Sequence, residues 1–338
     1  VPTDRRYRAK AAKQHSSARS QLARGPPRAC GDFPVVGIGS SAGGLDACKK
    51  LIDALPAKSG MAFIFVQHLD PTHESMMVDL LAGHTTMAVR QATDGMPIEP
   101  DHFYVIPPGT YLSVGNGALH LSQPKARHGA RLPFDFLLHS LAADCGARAI
   151  CVILSGTGAD GTLGLRAVKE KCGLVMAQDP DEAGFDGMPR SAIMTGAVDL
   201  VLPAATISQA LVKYARRLAL ARGPNNSGPR DKAQDWLPDI IELLRTKTAH
   251  DFTLYKEGTL QRRVIRRMAI AAIETGDMNR YLEMLRGNDT ELNLLAKDLL
   301  INVTSFFRDP KVFDLLANSI IPDLVRNHPA DRPLRIWV

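Results

Sequence analysis

From Phe33 to about Leu220 the chain repeats one pattern. A short apolar run is followed by a stretch in which apolar residues recur every three or four positions. The runs are PVVGIG (34–39), MAFIFVQ (61–67), AICVILSG (149–156) and GLVMAQ (173–178), each bounded by turn residues. Apolar runs of that length, without polar alternation, predict strands buried on both faces. Between the first two, Leu45, Cys48, Leu51, Ile52 and Leu55 share one helical face, and Leu163, Leu165, Ala167 and Val168 follow the third. Alternating β and α predicts an α/β fold: a doubly wound, mainly parallel sheet with helices on both faces. The section 88–122 departs from the pattern. HFYVIPPGTYLSVGNGALHLS predicts a hairpin-like insertion turning at Gly-Asn-Gly, 115–117.

RGPNNSGPRDKAQD (222–235) interrupts the alternation with Gly, Pro, Asn and charge, and predicts a linker. The periodicity beyond it is helical, over 238–247, 256–274, 278–286, 289–301 and 310–328, which predicts a small all-helical domain. Asn288 and Glu291 have capping-box spacing, and Asp309 stands before a first-turn Pro310. LRIWV (334–338) has the composition of a first buried strand, so a third unit is expected to begin there. The division expected is a tail at 1–32, an α/β domain at 33–221, a linker at 222–235, helices at 236–330 and the start of a further unit at 331–338.

Charge changes this picture at one end only. Of 338 residues with net charge +6, residues 1–31 hold eight Lys/Arg against Asp4, leaving a body of net −1. The tail has few large apolar residues and is expected to be a basic, disordered extension. A basic, nucleic-acid-binding body is therefore not expected, and no nucleic-acid partner is expected. No apolar run approaches the roughly 18 residues of a membrane helix, and the N-terminus lacks the apolar core of a secretory signal, so no membrane insertion is expected. Cys30, Cys48, Cys145, Cys151 and Cys172 are odd in number with no CxxC pair, which fits free thiols in a reducing cytoplasm.

The candidate chemistry lies in VVGIGSSAGGLDA, Val35–Ala47. Gly37, Gly39 and Gly43 make GxGxxxG between strand and helix, near a dinucleotide fingerprint, with Asp70 beyond the next strand as a ribose-binding acid. The same residues contain Gly39-Ser40-Ser41-Ala42-Gly43, a GxSxG turn presenting Ser41 as a nucleophile. Either pattern alone is weak. A nucleophilic serine needs a base, and the base needs an orienting acid. Ligands bind at the carboxyl ends of parallel strands. Read in order, those ends supply Ser41, His68 and, in the loop after AICVILSG, Asp160. Alone, His68 reads as a strand-end residue and Asp160 as a helix cap. Together they favour a hydrolase. The order Ser, His, Asp differs from the Ser, Asp, His of α/β-hydrolases and points to a different esterase fold. His68, His73 and His84 lack a metal-binding spacing, so no metal is expected.

VVGIGSSAGG, FVQHLDP, LSGTGADGTLGL and QDPDEAGFDGMPRSAI together resemble the catalytic domain of chemotaxis protein-glutamate methylesterases, across almost all of 33–200. The resemblance implies a serine hydrolase that needs no cofactor and releases methanol from methylated glutamyl side chains of chemoreceptors, with related chemistry on glutamine amides. It implies Ser41 as nucleophile, His68 as base and Asp160 as the acid orienting the histidine. It implies an oxyanion hole from the amide at Thr157, where a methionine is usual. Ala42, also at the oxyanion position, stands where a threonine is common, so a side-chain hydroxyl contribution there is missing. The receiver domain frequent in that family has no room in residues 1–32, so regulation is expected from a partner or another domain, and the helical half could cover the esterase cleft. The competing readings are a signalling scaffold with a degenerate site and a dinucleotide-dependent oxidoreductase.

The helical half is similar to the N-terminal domain of chemoreceptor methyltransferases, through FTLYKEGTLQRRVIRRM and LLINVTSFFRDPKVF. In 256–274, Leu260, Val264, Met268 and Ala272 share one face, with Arg262, Arg263, Arg266 and Arg267 elsewhere around the helix. The plain reading is an amphipathic surface helix with solvated arginines, and the sharper one a docking surface for an acidic partner. The resemblance implies that these arginines contact an acidic, methylated receptor segment. It implies that Asn302, Thr304 and Arg308 contact S-adenosylmethionine in an intact methyltransferase, which this chain does not complete. The whole resembles a bifunctional cytoplasmic signalling protein.

Overall fold

The computed structural model describes residues 31–67, 76–123, 132–220, 229–274, 276–300 and 310–327. Of these, the residues through Leu299 form one compact unit, and those from Leu300 on belong to a second. The α/β elements are β1 (Val35–Ser40), α1 (Gly44–Asp53), β2 (Ala62–Gln67), α2 (Met77–Ala82), β3 (Ala88–Gln91), β4 (Met96–Pro97), β5 (His102–Val105), β6 (Tyr111–Gly115), β7 (Ala118–Ser122), α3 (Pro133–Cys145), β8 (Ala149–Ile153), α4 (Gly164–Glu170), β9 (Leu174–Gln178), α5 (Gly187–Met194), β10 (Leu200–Leu202) and α6 (Ala204–Leu220).

Seven strands form one sheet in the order β10-β9-β8-β1-β2-β5-β3, every pair parallel. The chain leaves β1 toward β2 and later returns to β8 on the other side. The carboxyl end of β1 is therefore a topological switch point, where open sheets bind ligands. Residues alternate between two cores because strand side chains alternate faces. Val35, Ile64 and Val66 pack with Phe134, Leu137, Leu138 and Leu141 of α3, while Val36, Ile38, Phe63 and Phe65 pack with α1 and α6.

Two expectations are corrected here. Segment 102–105, read as part of an insertion, is a parallel strand between β2 and β3. Only β4, β7 and β6 form the separate antiparallel sheet, and its hairpin does turn at Asn116–Gly117. The polar His102 and the following Pro-Pro-Gly hid a buried strand. In the second half, helix α7 (Pro229–Lys247) runs through Pro238 and occupies the C-terminal part of the stretch read as linker. Proline at a first helical position suits Pro229 as well as Pro238, and the earlier one begins the helix.

Helices α8 (Glu257–Ile270), α9 (Met278–Gly287) and α10 (Asp289–Leu300) follow. Leu260, Val264 and Met268 are buried as their spacing predicts, but Ala272 is exposed with φ +65° and lies past the end of α8. The Asn288 side chain accepts the Glu291 amide at 3.1 Å, an N-cap at the predicted position. In the second unit, α11 (Pro310–Leu315), a π-helical turn (Leu316–Ile320) and α12 (Ile321–Asn327) run in succession. Among the described residues no helix is long and apolar enough to cross a membrane.

Candidate active site

Gly37 and Gly39 lie inside β1, on the face covered by α3. A Cβ on Gly37 would sit 3.2 Å from Leu141 and 3.3 Å from Leu138, and one on Gly39 would run into the Phe134 ring. These glycines let α3 approach the strand and are spent on packing rather than on a phosphate cradle. Gly43 has φ +70° and its Cβ would meet the Ser155 hydroxyl at 2.8 Å, so the turn between β1 and α1 requires glycine twice over. This disfavours the dinucleotide reading of the motif. Asp70 lies outside the described residues.

Ser41 sits half-buried at the carboxyl end of β1, between that strand and the first turn of α1. Its amide donates to the Ser155 carbonyl at 3.0 Å, and its carbonyl accepts from the Gly44 amide at 3.0 Å and the Gln67 side-chain amide at 3.4 Å. The loop after β8 closes against it: a Cβ on Gly156 would come within 2.9 Å of the Ser41 Cβ. Thr157 follows, exposed, with the Gly156 carbonyl held by the Met188 amide at 2.8 Å. Among the described residues, the amides of Ala42 and Thr157 donate to no protein acceptor.

Asp160 is 5% exposed in the same loop. Its two carboxylate oxygens accept the amides of Phe134 and Asp135, each at 3.0 Å, at the N-terminus of α3. Asp135 in turn accepts the amides of Leu163 and Gly164 at 3.0 and 2.7 Å, at the start of α4. Ser41, Ala42, Thr157 and Asp160 thus share one rim of the sheet. His68, the residue after β2, lies outside the described residues, as do Asn302, Thr304 and Arg308. Among the described residues no group of three His, Cys, Asp or Glu side chains is placed to hold a metal ion.

The arginines of α8 correct the expectation of an exposed docking face. Only Arg262 is exposed; Arg263, Arg266 and Arg267 are each 3% exposed. Arg263 donates to the carbonyls of Lys169 and Glu170, at the C-terminus of α4. Arg266 donates to the Gly173 carbonyl at 2.8 and 3.0 Å and pairs with both Asp199 and Asp298. Lys169 pairs with the same two acids and closes a buried ring of four charges. Burial works to lower the Arg266 pKa, but Asp199 and Asp298 outweigh it and hold the guanidinium charged. Arg267 grips Glu291 at 2.6 and 3.0 Å, and Glu291 also accepts the Tyr281 hydroxyl. A buried guanidinium has to be paired, and Asp199 and Asp298 stand 67 and 32 residues away in sequence. That pairing is invisible to a local reading. The ring lies where β9 and β10 begin, at the rim opposite Ser41.

Sequence reasoning also missed Ser155, Gln178 and Asp135, buried polar residues that hold the loops of this rim together. Asp135 had one signal, its place in the first turn after Pro133. A serine before a glycine is too common in turns to stand out.

Residues 36–211 match the family model of the CheB methylesterase, and residues 237–300 match the all-alpha domain of the CheR methyltransferase. An uncharacterized 104.1 kDa protein in the hypE 3′ region of Rhodobacter capsulatus is 40% identical over 77% of this chain and 29% of its own length. The protein-glutamate methylesterase/protein-glutamine glutaminase of Bordetella parapertussis is 38% identical over 52% of this chain and 51% of its own. The crystal structure of the Thermotoga maritima CheB methylesterase catalytic domain superposes with a TM-score of 0.51 at 32% identity, covering 54% of this chain and 99% of that one. The chain spans about half the length of the curated methylesterase and under a third of the Rhodobacter protein.

Proposed function

The chain belongs to the CheB methylesterase family, and from that premise we propose that residues 33–221 remove methyl esters from glutamyl side chains of a chemoreceptor-type protein in the cytoplasm. The observation that carries this reading is Ser41 at the switch point, with two amides beside it that lack acceptors and Asp160 fixed on the same rim. The Ser41 hydroxyl attacks the ester carbonyl while His68 accepts its proton, and Asp160 orients the imidazole. The tetrahedral oxyanion takes hydrogen bonds from the amides of Ala42 and Thr157, an interaction worth about 10²–10³ in rate per donor. Methanol leaves with the proton returned by His68. Water, deprotonated by His68, then attacks the acyl-enzyme and frees the glutamate carboxylate and Ser41. A side-chain amide would enter the same sequence with ammonia as the leaving group.

The match of residues 237–300 to a methyltransferase domain supports a bifunctional methylesterase/methyltransferase signalling protein as part of the same proposal. S-adenosylmethionine would serve that second activity only, with Asn302, Thr304 and Arg308 as its contacts in a longer chain.

The deciding experiment compares methanol release from a methyl-esterified receptor fragment by this chain and by Ser41→Ala. Release is expected to fall by about 10⁶-fold. Equal release from both would refute a serine mechanism. No release from a folded wild-type chain would leave the scaffold reading standing.

A further inference from the structure

We propose that Ser155 is a positioning residue for this chemistry, its hydroxyl and carbonyl together setting the turn that carries Ser41. The inference rests on Ser41 being the nucleophile. Ser155 is fully buried at 0% exposure and directly precedes the Gly156–Thr157 loop. Its hydroxyl donates to the Ala42 carbonyl at 2.9 Å and accepts from the Phe185 amide at 3.0 Å. Its carbonyl takes the Ser41 amide at 3.0 Å.

Residues 41 and 42 have two amides and two carbonyls. Ser155 fixes the outer pair, the Ser41 N–H and the Ala42 C=O, while the Ser41 carbonyl is held by Gly44 and Gln67. The Ala42 N–H is the one group left over. In a trans peptide N–H and C=O point opposite ways, so holding the Ser41 carbonyl and both flanking groups aims the Ala42 N–H away from its own turn. That is how a donor for a developing oxyanion is made without reorganisation during the reaction.

Ser155 is itself anchored from behind. Its amide donates to the Gln178 side chain at 2.8 Å, and Gln178, 2% exposed, donates to Glu182 at 3.2 Å. Glu182 accepts the Ala204 amide at 2.7 Å and pairs with Lys50 of α1 at 3.1 Å. The helix that begins just after Ser41 is thereby tied to the strand end that carries Ser155. Phe185 closes the arrangement through its carbonyl, which accepts the Gly156 amide at 2.9 Å. One hydroxyl joins the nucleophile turn, the glycine loop and the segment before α5.

The test uses the full chain, a peptide bearing a glutamyl methyl ester, and a fluorophosphonate that labels reactive serines. Labelling to completion counts intact sites, so kcat can be expressed per labelled site. For Ser155→Ala the expected result is kcat per site lower by about 10–100-fold with KM unchanged, which is the signature of an interaction made only in the transition state. Ser155→Thr, which keeps the hydroxyl, is expected to recover most of the loss. If Ser155→Ala does not fold, Ser155→Cys, similar in size and a weaker donor, is expected to show the same kcat defect to a smaller degree. A merely structural role would reduce the number of labelled sites and leave kcat per site at the wild-type value, and that result overturns the inference. Failure of the wild-type chain to label at Ser41 overturns the esterase reading beneath it, which separates the two.

Discussion

Asp160 and Asp135 cap each other's helices. Asp160 receives the first amides of α3, Asp135 among them, while the Asp135 carboxylate receives those at the start of α4, three residues after Asp160 in the chain. The exchange holds the loop 154–163 against α3 from both sides. Charge near a helix N-terminus is also favoured by the helix dipole. Asp160→Asn keeps an acceptor oxygen for one of the two caps, turns an NH2 toward the other amide, and removes the charge that would support an imidazolium. The expected outcome is a chain folded to within about 2 kcal/mol of wild type whose kcat is lower by about 10⁴-fold. Turnover within tenfold of wild type would exclude Asp160 as the orienting acid.

Gly39→Ala tests the close approach of α3 to β1. The new methyl group must displace the buried Phe134 ring, whose own amide is a donor to Asp160. Overpacking of this kind costs about 1–3 kcal/mol. A urea titration is expected to show that loss, accompanied by reduced turnover per folded molecule. An unchanged midpoint would mean that the ring has room to move.

Arg266→Met breaks the ring of four buried charges and leaves Asp199 and Asp298 with Lys169 alone. Removing one partner from a buried ion pair costs about 3–5 kcal/mol. The loss is expected in the denaturation midpoint. Because the ring is at the far rim from Ser41, kcat of the molecules still folded should stay near wild type.

Acid should weaken the same ring. Burial alone would raise the Asp298 pKa, but Arg266 and Lys169 outweigh burial and hold it below its ordinary value, which is about 3.9. A carboxylate with a depressed folded-state pKa contributes stability that is complete above the unfolded value and disappears as pH falls through the folded one. The stability gap between wild type and Asp298→Asn is therefore expected to be constant from neutrality down to about pH 5 and to shrink below about pH 4. A gap that persists undiminished at lower pH would mean that the carboxylate charge contributes nothing.

The cysteines give a further test. Burial pushes the Cys48 and Cys151 thiols up, and for Cys151 the charges of Asp135 and Asp199 push in the same direction. Thiolate is the reactive form. With a disulfide reagent at pH 8, Cys172, which is partly exposed, is expected to react first among the four described cysteines, and Cys48 and Cys151 only on unfolding.

The α/β layers were legible because β1, β2, β8 and β9 are continuous apolar runs of strand length, bounded by turn residues. That Ser41 and Asp160 stand at one rim of the sheet was legible because each follows such a run. β5 was obscured by its polar first residue and by the prolines after it, and its neighbours in the sheet come from elsewhere in the chain. The arginines of α8 show the same limit more sharply. Their spacing reveals a charged face, yet whether that face meets water, a partner or the chain's own acids depends on residues brought together only by folding.

The ring of charges and Ser41 stand at opposite ends of the parallel strands, separated along the strand direction by the length of β9, about 17 Å for its five residues. Arg263 and Arg266 fasten helix α8 to the end of the sheet away from Ser41. Substitutions in the two places therefore meet different constraints: buried charges in the ring, and backbone groups of the turn around Ser41.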